Sequence, residues 1–167
     1  MEETDNPSAN ASTNTPRGAK TKSHPFWQWF WLTFLVVSLG YAWYSFYVPS
    51  NEVVWADNMA SARELADDSG KNMLLFFTGE WCVPCRIMKR EVFADQQVTK
   101  AINSQVVSIM IDIDDPSAEE IVKQYNIGGT PVTIFTDPQG NVLDYAVGKI
   151  GKTEFLGMLE NLDAAGS

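Results

Sequence analysis

The residues most able to do covalent chemistry are Cys82 and Cys85, the only two cysteines in the chain. They lie in the run Gly79-Glu80-Trp81-Cys82-Val83-Pro84-Cys85-Arg86. Such a pair can be inert core, a structural disulfide, part of a zinc site or a redox dithiol. Inert core rarely takes this spacing with a proline between the sulfurs. Structural zinc needs about four nitrogen or sulfur ligands, and the only histidine, His24, is far upstream, so no metal is expected. A purely structural disulfide here closes too short a loop to restrict the unfolded chain much. A dithiol that cycles between reduced and oxidised forms is the reading that remains, as expected for Cys-x-x-Cys inside a βαβ pattern.

The flanking sequence predicts how the pair is held. The apolar run Met73 to Phe77 leads in and the amphipathic run Arg86 to Phe93 leads out, which places the cysteines at a strand-to-helix junction. A helix starting near Cys82 puts its unpaired N–H groups beside the sulfur, where their partial positive charge stabilises a thiolate. Cys82, exposed at that start, is the expected nucleophile. Cys85, one turn inside, is the expected resolving cysteine. Pro84 suits the first turn, where a missing N–H costs nothing. Trp81, Val83 and Pro84 are expected on the substrate-docking surface, with Trp81 as a flat apolar wall. Arg86, Lys89 and Arg90 either add positive potential near the thiolate or form a solvated helix face.

The elements that position this turn follow in order. Val53 to Trp55 reads as a short strand. Asn58 to Ser69 reads as a helix with Met59, Ala62, Leu65 and Ala66 at helical spacing, closed by Gly70. Met73 to Phe77 is continuously apolar, as in a strand covered on both faces. Asp95 can cap a helix over Gln96 to Ile102, Val106 to Ile113 reads as a second buried strand, and Pro116 and Ser117 start a helix through Tyr125. Val132 to Thr136 and Val142 to Val147 flank the hairpin turn Asp137-Pro138-Gln139-Gly140. Thr153 can cap a last helix, Glu154 to Leu162. Strands alternating with helices, then a hairpin and a helix, predict an α/β fold: a central mixed β-sheet flanked by helices.

Upstream, the composition changes. Residues 1–25 are rich in Asn, Ser, Thr and Pro and read as a disordered tail. Residues 26–48 form 23 uncharged positions, long enough for one N-terminal transmembrane helix. Aromatic residues crowd both ends, and Leu32 to Leu39 fills the middle. No small-x-small cleavage site follows, which favours an anchor over a cleaved signal. Residues 49–52 make a short linker to a domain over residues 53–163. Arg17, Lys20 and Lys22 precede the span, while Glu52 and Asp57 follow it. The positive-inside rule therefore keeps the tail in the cytoplasm and exports the domain. The net charge of −9 lies entirely in residues 49–167, because residues 1–48 carry three acidic and three basic side chains. An acidic domain without a basic patch argues against nucleic-acid binding.

Trp81-Cys82-Val83-Pro84-Cys85 after a strand, with Gly129-Thr130-Pro131 just before the Val132 strand, resembles the thioredoxin superfamily. The run Trp81-Cys82-x-x-Cys85-Arg86-x-Met88, then Val92-Phe93-x-Asp95-x-x-Val98, is similar to the C-terminal domain of DsbD-type thiol:disulfide interchange proteins over roughly residues 53–162. The resemblance implies a cis bond at Thr130-Pro131, which presents the Thr130 backbone to an incoming polypeptide, so Thr130 and Pro131 join the docking surface. It implies protein dithiol and disulfide substrates, no cofactor, and a single-pass inner-membrane protein with its domain in the periplasm. The chain lacks a multi-span electron carrier, so an upstream membrane electron donor is also expected. The activity expected is thiol–disulfide oxidoreduction, in the direction of reducing envelope protein disulfides. A non-catalytic peptide-binding or chaperone module and a dithiol oxidase or isomerase are the alternatives. Two positions depart from the family pattern. Phe76 stands where thioredoxins usually have a buried aspartate, and Met110 where a lysine often lies near it. Both are expected to be buried, and proton transfer at Cys85 is left to water, Glu80, Asp112 or another group.

Overall fold

The computed structural model describes residues 25–47 and 50–165. The tail before Pro25, including Arg17, Lys20 and Lys22, lies outside the described residues, as do Val48 and Pro49. The chain divides into two units, one ending at Ser45 and the other beginning at Phe46.

All but the last residue of α1, Pro25–Phe46, belongs to the first unit. The helix has no charged side chain, and its large apolar side chains are exposed all round. Phe26–Phe46 is long and apolar enough, by length and composition, to cross a membrane.

The second unit is a five-stranded sheet with helices on both faces. Its elements are β1 (Trp55–Ala56), α2 (Met59–Ser69), β2 (Asn72–Thr78), α3 (Val83–Met88), a π-helical turn (Lys89–Phe93), α4 (Gln96–Gln105), β3 (Val106–Asp112), a 3₁₀ turn (Pro116–Ala118), α5 (Glu119–Gln124), β4 (Val132–Thr136), β5 (Val142–Val147) and α6 (Lys152–Ala165). The strand order is β1-β3-β2-β4-β5. β2 is parallel to β3 and antiparallel to β4, and β5 closes the sheet antiparallel to β4. The mixed α/β sheet expected from the sequence is therefore present.

Period-two alternation along β2 divides the core in two. Leu74 and Phe76 point to the side covered by α3, α4 and α6, with Val92, Phe93, Ile102 and Phe155. Met73, Leu75 and Phe77 point to the other side, against Ala62, Ala66 and Ile121 of α2 and α5. All five are fully buried, which is why this stretch reads as an unbroken apolar run. Phe93 is the hub of the first side. Its ring meets Phe76 at 4.8 Å, Trp55 at 5.4 Å and Phe155 at 5.5 Å between centroids, arrangements near edge-to-face that add to burial.

The helix ends are set by local chemistry. Asn58 accepts the Ser61 N–H in a reciprocal capping box, and Gly70 closes α2 at φ 65°, a left-handed conformation that favours glycine. Asp95 Oδ1 accepts from the N–H groups of Gln97 and Val98 at the start of α4. Its Oδ2 accepts from Lys152 Nζ at 2.8 Å, tying α4 to α6. One cap differs from expectation. Thr153 lies inside the first turn of α6, because the helix begins at Lys152 and the Phe155 N–H already bonds the Gly151 carbonyl.

Candidate active site

The dithiol turn grows from the end of β2. Cys82 is the N-cap of α3, with extended φ −74° and ψ 96°, and Pro84 occupies the first turn. The Cys85 N–H donates to Cys82 Sγ at 3.1 Å, so the sulfur takes the place of a capping oxygen and satisfies a donor of the helix start. The Arg86 N–H bonds the Cys82 carbonyl at 3.2 Å, and the Cys82 N–H bonds the Gly79 carbonyl at 3.2 Å. The two sulfurs form a disulfide. Cys85 is fully buried among Phe76, Met88 and Val92, while Cys82 is half-buried. One sulfur is thus open to attack and the other covered.

The remaining expected site residues sort by exposure. Trp81 is 80% exposed and Val83 53%, so both present apolar surface to solvent; Pro84 is half-buried. The Thr130–Pro131 bond is cis. Thr130 is half-buried and Pro131 buried, and the Pro131 carbonyl accepts the Gly148 N–H at 2.8 Å. The site also holds a residue that sequence reasoning passed over. Asp114 Oδ2 accepts the Glu80 N–H at 3.1 Å, pinning the loop just before Trp81. A Cβ at Gly79 would lie 3.1 Å from that oxygen and 3.8 Å from Thr130 Oγ1. Asp114 and Thr130 therefore both border Gly79, and the missing side chain there was the available signal.

Phe76 is fully buried and pairs with Met110 in register, as the departures from the family pattern implied. Met110 is only partly buried, on the margin of the same cluster, because its strand neighbour on the far side, β1, is two residues long. Lys89, one helical turn beyond Cys85, is half-buried. Burial pushes its pKa below the usual lysine value, and the Asp112 carboxylate works against that shift.

A family model described as a thioredoxin-like domain matches residues 59–163. The chain belongs to the thioredoxin-like family. Its α/β mixed sheet has the thioredoxin fold, and its Cys82–Cys85 disulfide supplies the redox pair of a thiol-disulfide oxidoreductase family. Among curated relatives, the thiol:disulfide interchange protein DsbD of Yersinia enterocolitica is 32% identical over 102 residues, covering 59% of this chain and 18% of that protein. The chain spans less than a fifth of the length of the curated relatives it matches first. Among solved structures, a thioredoxin from Thermus thermophilus superposes with a TM-score of 0.62 at 24% identity, covering 69% of this chain and 90% of that one. The oxidised C-terminal domain of Neisseria meningitidis DsbD gives 0.55 at 19% identity, covering 65% and 98%. Likenesses at that identity speak to the fold of this thioredoxin-like domain.

Proposed function

We propose that the chain is a membrane-tethered thiol–disulfide oxidoreductase that reduces protein disulfides in the cell envelope. The observation that carries this reading is Cys82 as N-cap, its sulfur accepting the Cys85 N–H while Cys85 itself is buried. A thiolate at Cys82 is stabilised by that donor and by the helix start. It attacks one sulfur of a substrate disulfide, forming a mixed disulfide and releasing a substrate thiolate that takes up a proton. Cys85 then loses its proton and attacks Cys82 Sγ; the Cys82–substrate bond breaks and the second substrate sulfur leaves. The substrate gains two electrons and the enzyme becomes the disulfide. Trp81, Val83, Pro84, Thr130 and Pro131 form the docking surface around the reacting sulfur.

Residues 26–48 span the inner membrane, with residues 1–25 in the cytoplasm, residues 49–52 as linker, and the domain of residues 53–163 in the periplasm. Its length, lack of charge and aromatic ends support the span, and the Arg17, Lys20 and Lys22 cluster supports the orientation. An upstream membrane protein re-reduces the disulfide, a role consistent with relatives named thiol:disulfide interchange proteins.

The test is insulin reduction by the purified full-length chain, with titration of its potential against glutathione. Catalysed reduction that is lost in Cys82→Ser, with a potential near the thioredoxin value of about −270 mV, is the expected result. No catalysis would leave a peptide-binding module. A potential near about −120 mV would make the chain an oxidase.

A further inference from the structure

The segment that delivers Thr130 to the docking surface is anchored by a tyrosine that takes no part in the chemistry above. α5 ends beside Tyr125, and the chain reaches Pro131 through Asn126, Ile127, Gly128, Gly129 and Thr130. Asn126 is left-handed at φ 51°, and the Ile127 N–H bonds the Val122 carbonyl at 2.9 Å, which closes the helix. Past Ile127 the hold is slight. Gly128 and Gly129 are exposed, neither has a positive φ, and a Cβ on either would meet nothing within 4 Å. Fold geometry therefore does not demand glycine at these two positions, and the pair contributes freedom. On the far side, Val132 is held in the sheet between Phe77 and Val147. The near side depends on Tyr125, which is half-buried. Its hydroxyl donates to the Gly140 carbonyl at 2.9 Å, in the turn between β4 and β5, and its ring centroid lies 6.2 Å from that of Phe77. The turn makes a firm anchor, because Asp137 accepts from the Asn141 N–H at 2.8 Å and from Asn141 Nδ2 at 2.7 Å. Gly140 has φ 88°, and a Cβ there would lie 3.1 Å from Tyr125 Oη. Burial raises the Tyr125 pKa above the usual tyrosine value, with the Arg63 guanidinium working against the shift, so the hydroxyl remains a neutral donor at pH 7.

We propose that Tyr125 is a positioning residue: by tying the end of α5 to Gly140 it fixes residues 126–129, and so sets where the Thr130 backbone meets a protein substrate. The inference rests on the redox reading above and adds to it a determinant of protein-substrate affinity outside the dithiol turn. Phenylalanine at position 125 would keep the ring beside Phe77 but lose the bond to the hairpin. The end of α5 would then be held by packing alone. Gly128 and Gly129 make no side-chain contact that could absorb a displacement, so it would pass along the chain to Thr130. A polypeptide docking there would have to order the segment as it binds, which costs affinity. Cys82 is held separately, by the start of α3 and by its own N–H bond to the Gly79 carbonyl. A small disulfide that needs only the Cys82 sulfur would therefore react as before.

The experiment uses the full-length chain with two substrates, insulin and the small disulfide dithiodipyridine, and follows amide hydrogen exchange over residues 126–130. In Tyr125→Phe the KM for insulin should rise about fivefold, the order of one hydrogen bond, with kcat unchanged. The rate with dithiodipyridine should match the parent, and exchange over residues 126–130 should quicken. A tyrosine that merely supported the fold would not separate the two substrates. Gly140→Ala, which keeps the tyrosine but crowds its hydroxyl, makes the same test independently. It should raise the KM for insulin in the parent and add little in the Tyr125→Phe background, because both changes break one contact. A KM for insulin within twofold of the parent in Tyr125→Phe overturns the proposal. So does an equal loss of rate with both substrates, or an additive effect of Gly140→Ala. Failure of the parent to reduce insulin would instead remove the redox reading itself, whatever the exchange shows.

Discussion

Phe76 fills the buried position with a ring that touches Phe93 and is itself completely enclosed. A carboxylate placed there would lose those contacts and find no charged partner on its own rung, which Met110 and Thr133 complete. Phe76→Asp is therefore expected to destabilise the domain by about 3 kcal/mol or more, from cavity formation and charge burial together. Urea denaturation checks this, and a change under about 1 kcal/mol would mean that the position tolerates polarity. The cysteines make a second residue-scale prediction. Because only Cys82 is open to solvent, Cys85→Ala should trap a mixed disulfide through Cys82, and Cys82→Ala should trap almost none. Mass spectrometry that found the adduct on Cys85 would reverse the assignment.

At the scale of elements, Asp95 joins the start of α4 to α6 through its hydrogen bonds to Gln97, Val98 and Lys152. The Lys152 hydrogen bond, then the two backbone donors, hold its carboxyl below the usual aspartate value despite some desolvation. A depressed carboxylate pKa stabilises the fold above the unfolded value, near pH 3.9, and that contribution is lost as pH falls through the lower folded value. Lys152→Met should therefore flatten the loss of thermal stability on the acid side of about pH 4, which calorimetry across pH would show. The Asp95 cap was legible because an aspartate before an amphipathic run has one obvious use. The dithiol turn and the four longer strands were legible for similar reasons: alternation, punctuation and spacing are local. The Thr130-Pro131 position was legible only through the resemblance to the thioredoxin superfamily, and the short first strand, expected at Val53 to Trp55, forms at Trp55–Ala56. What was not legible depends on neighbours distant in sequence. The π-helical turn at Lys89–Phe93 has no local signal in an amphipathic run that also fits an α-helix. Asp114 is one of three acids in the run of residues 112–115, and only the fold brings it against Gly79. Met110 reads as buried from its strand, yet the short β1 leaves it partly open.

For the whole molecule, the uncharged α1 and the acidic domain behave as separate chemical units. If residues 26–48 span the membrane with the domain exported, the full-length protein should stay with membranes through carbonate washing. A periplasm-active reporter fused after Ser167 should also be active. A shortened soluble product would indicate cleavage after the span instead.

The outer strand β5 has a consequence of another kind. It lies at the end of the sheet order and exposes Leu143, Tyr145 and Val147, the last at 74%. Asp144 is its only charged residue, so it lacks the lysines or prolines that commonly stop one sheet from templating another. Mutual repulsion between copies, from a net charge of −9 at pH 7 and a pI near 4.5, then supplies the colloidal protection that the strand itself does not. Acidification toward the pI, or salt that shortens the Debye length, should bring edges together and raise light scattering before any loss of secondary structure. Val147→Lys should suppress that rise while leaving the melting temperature almost unchanged.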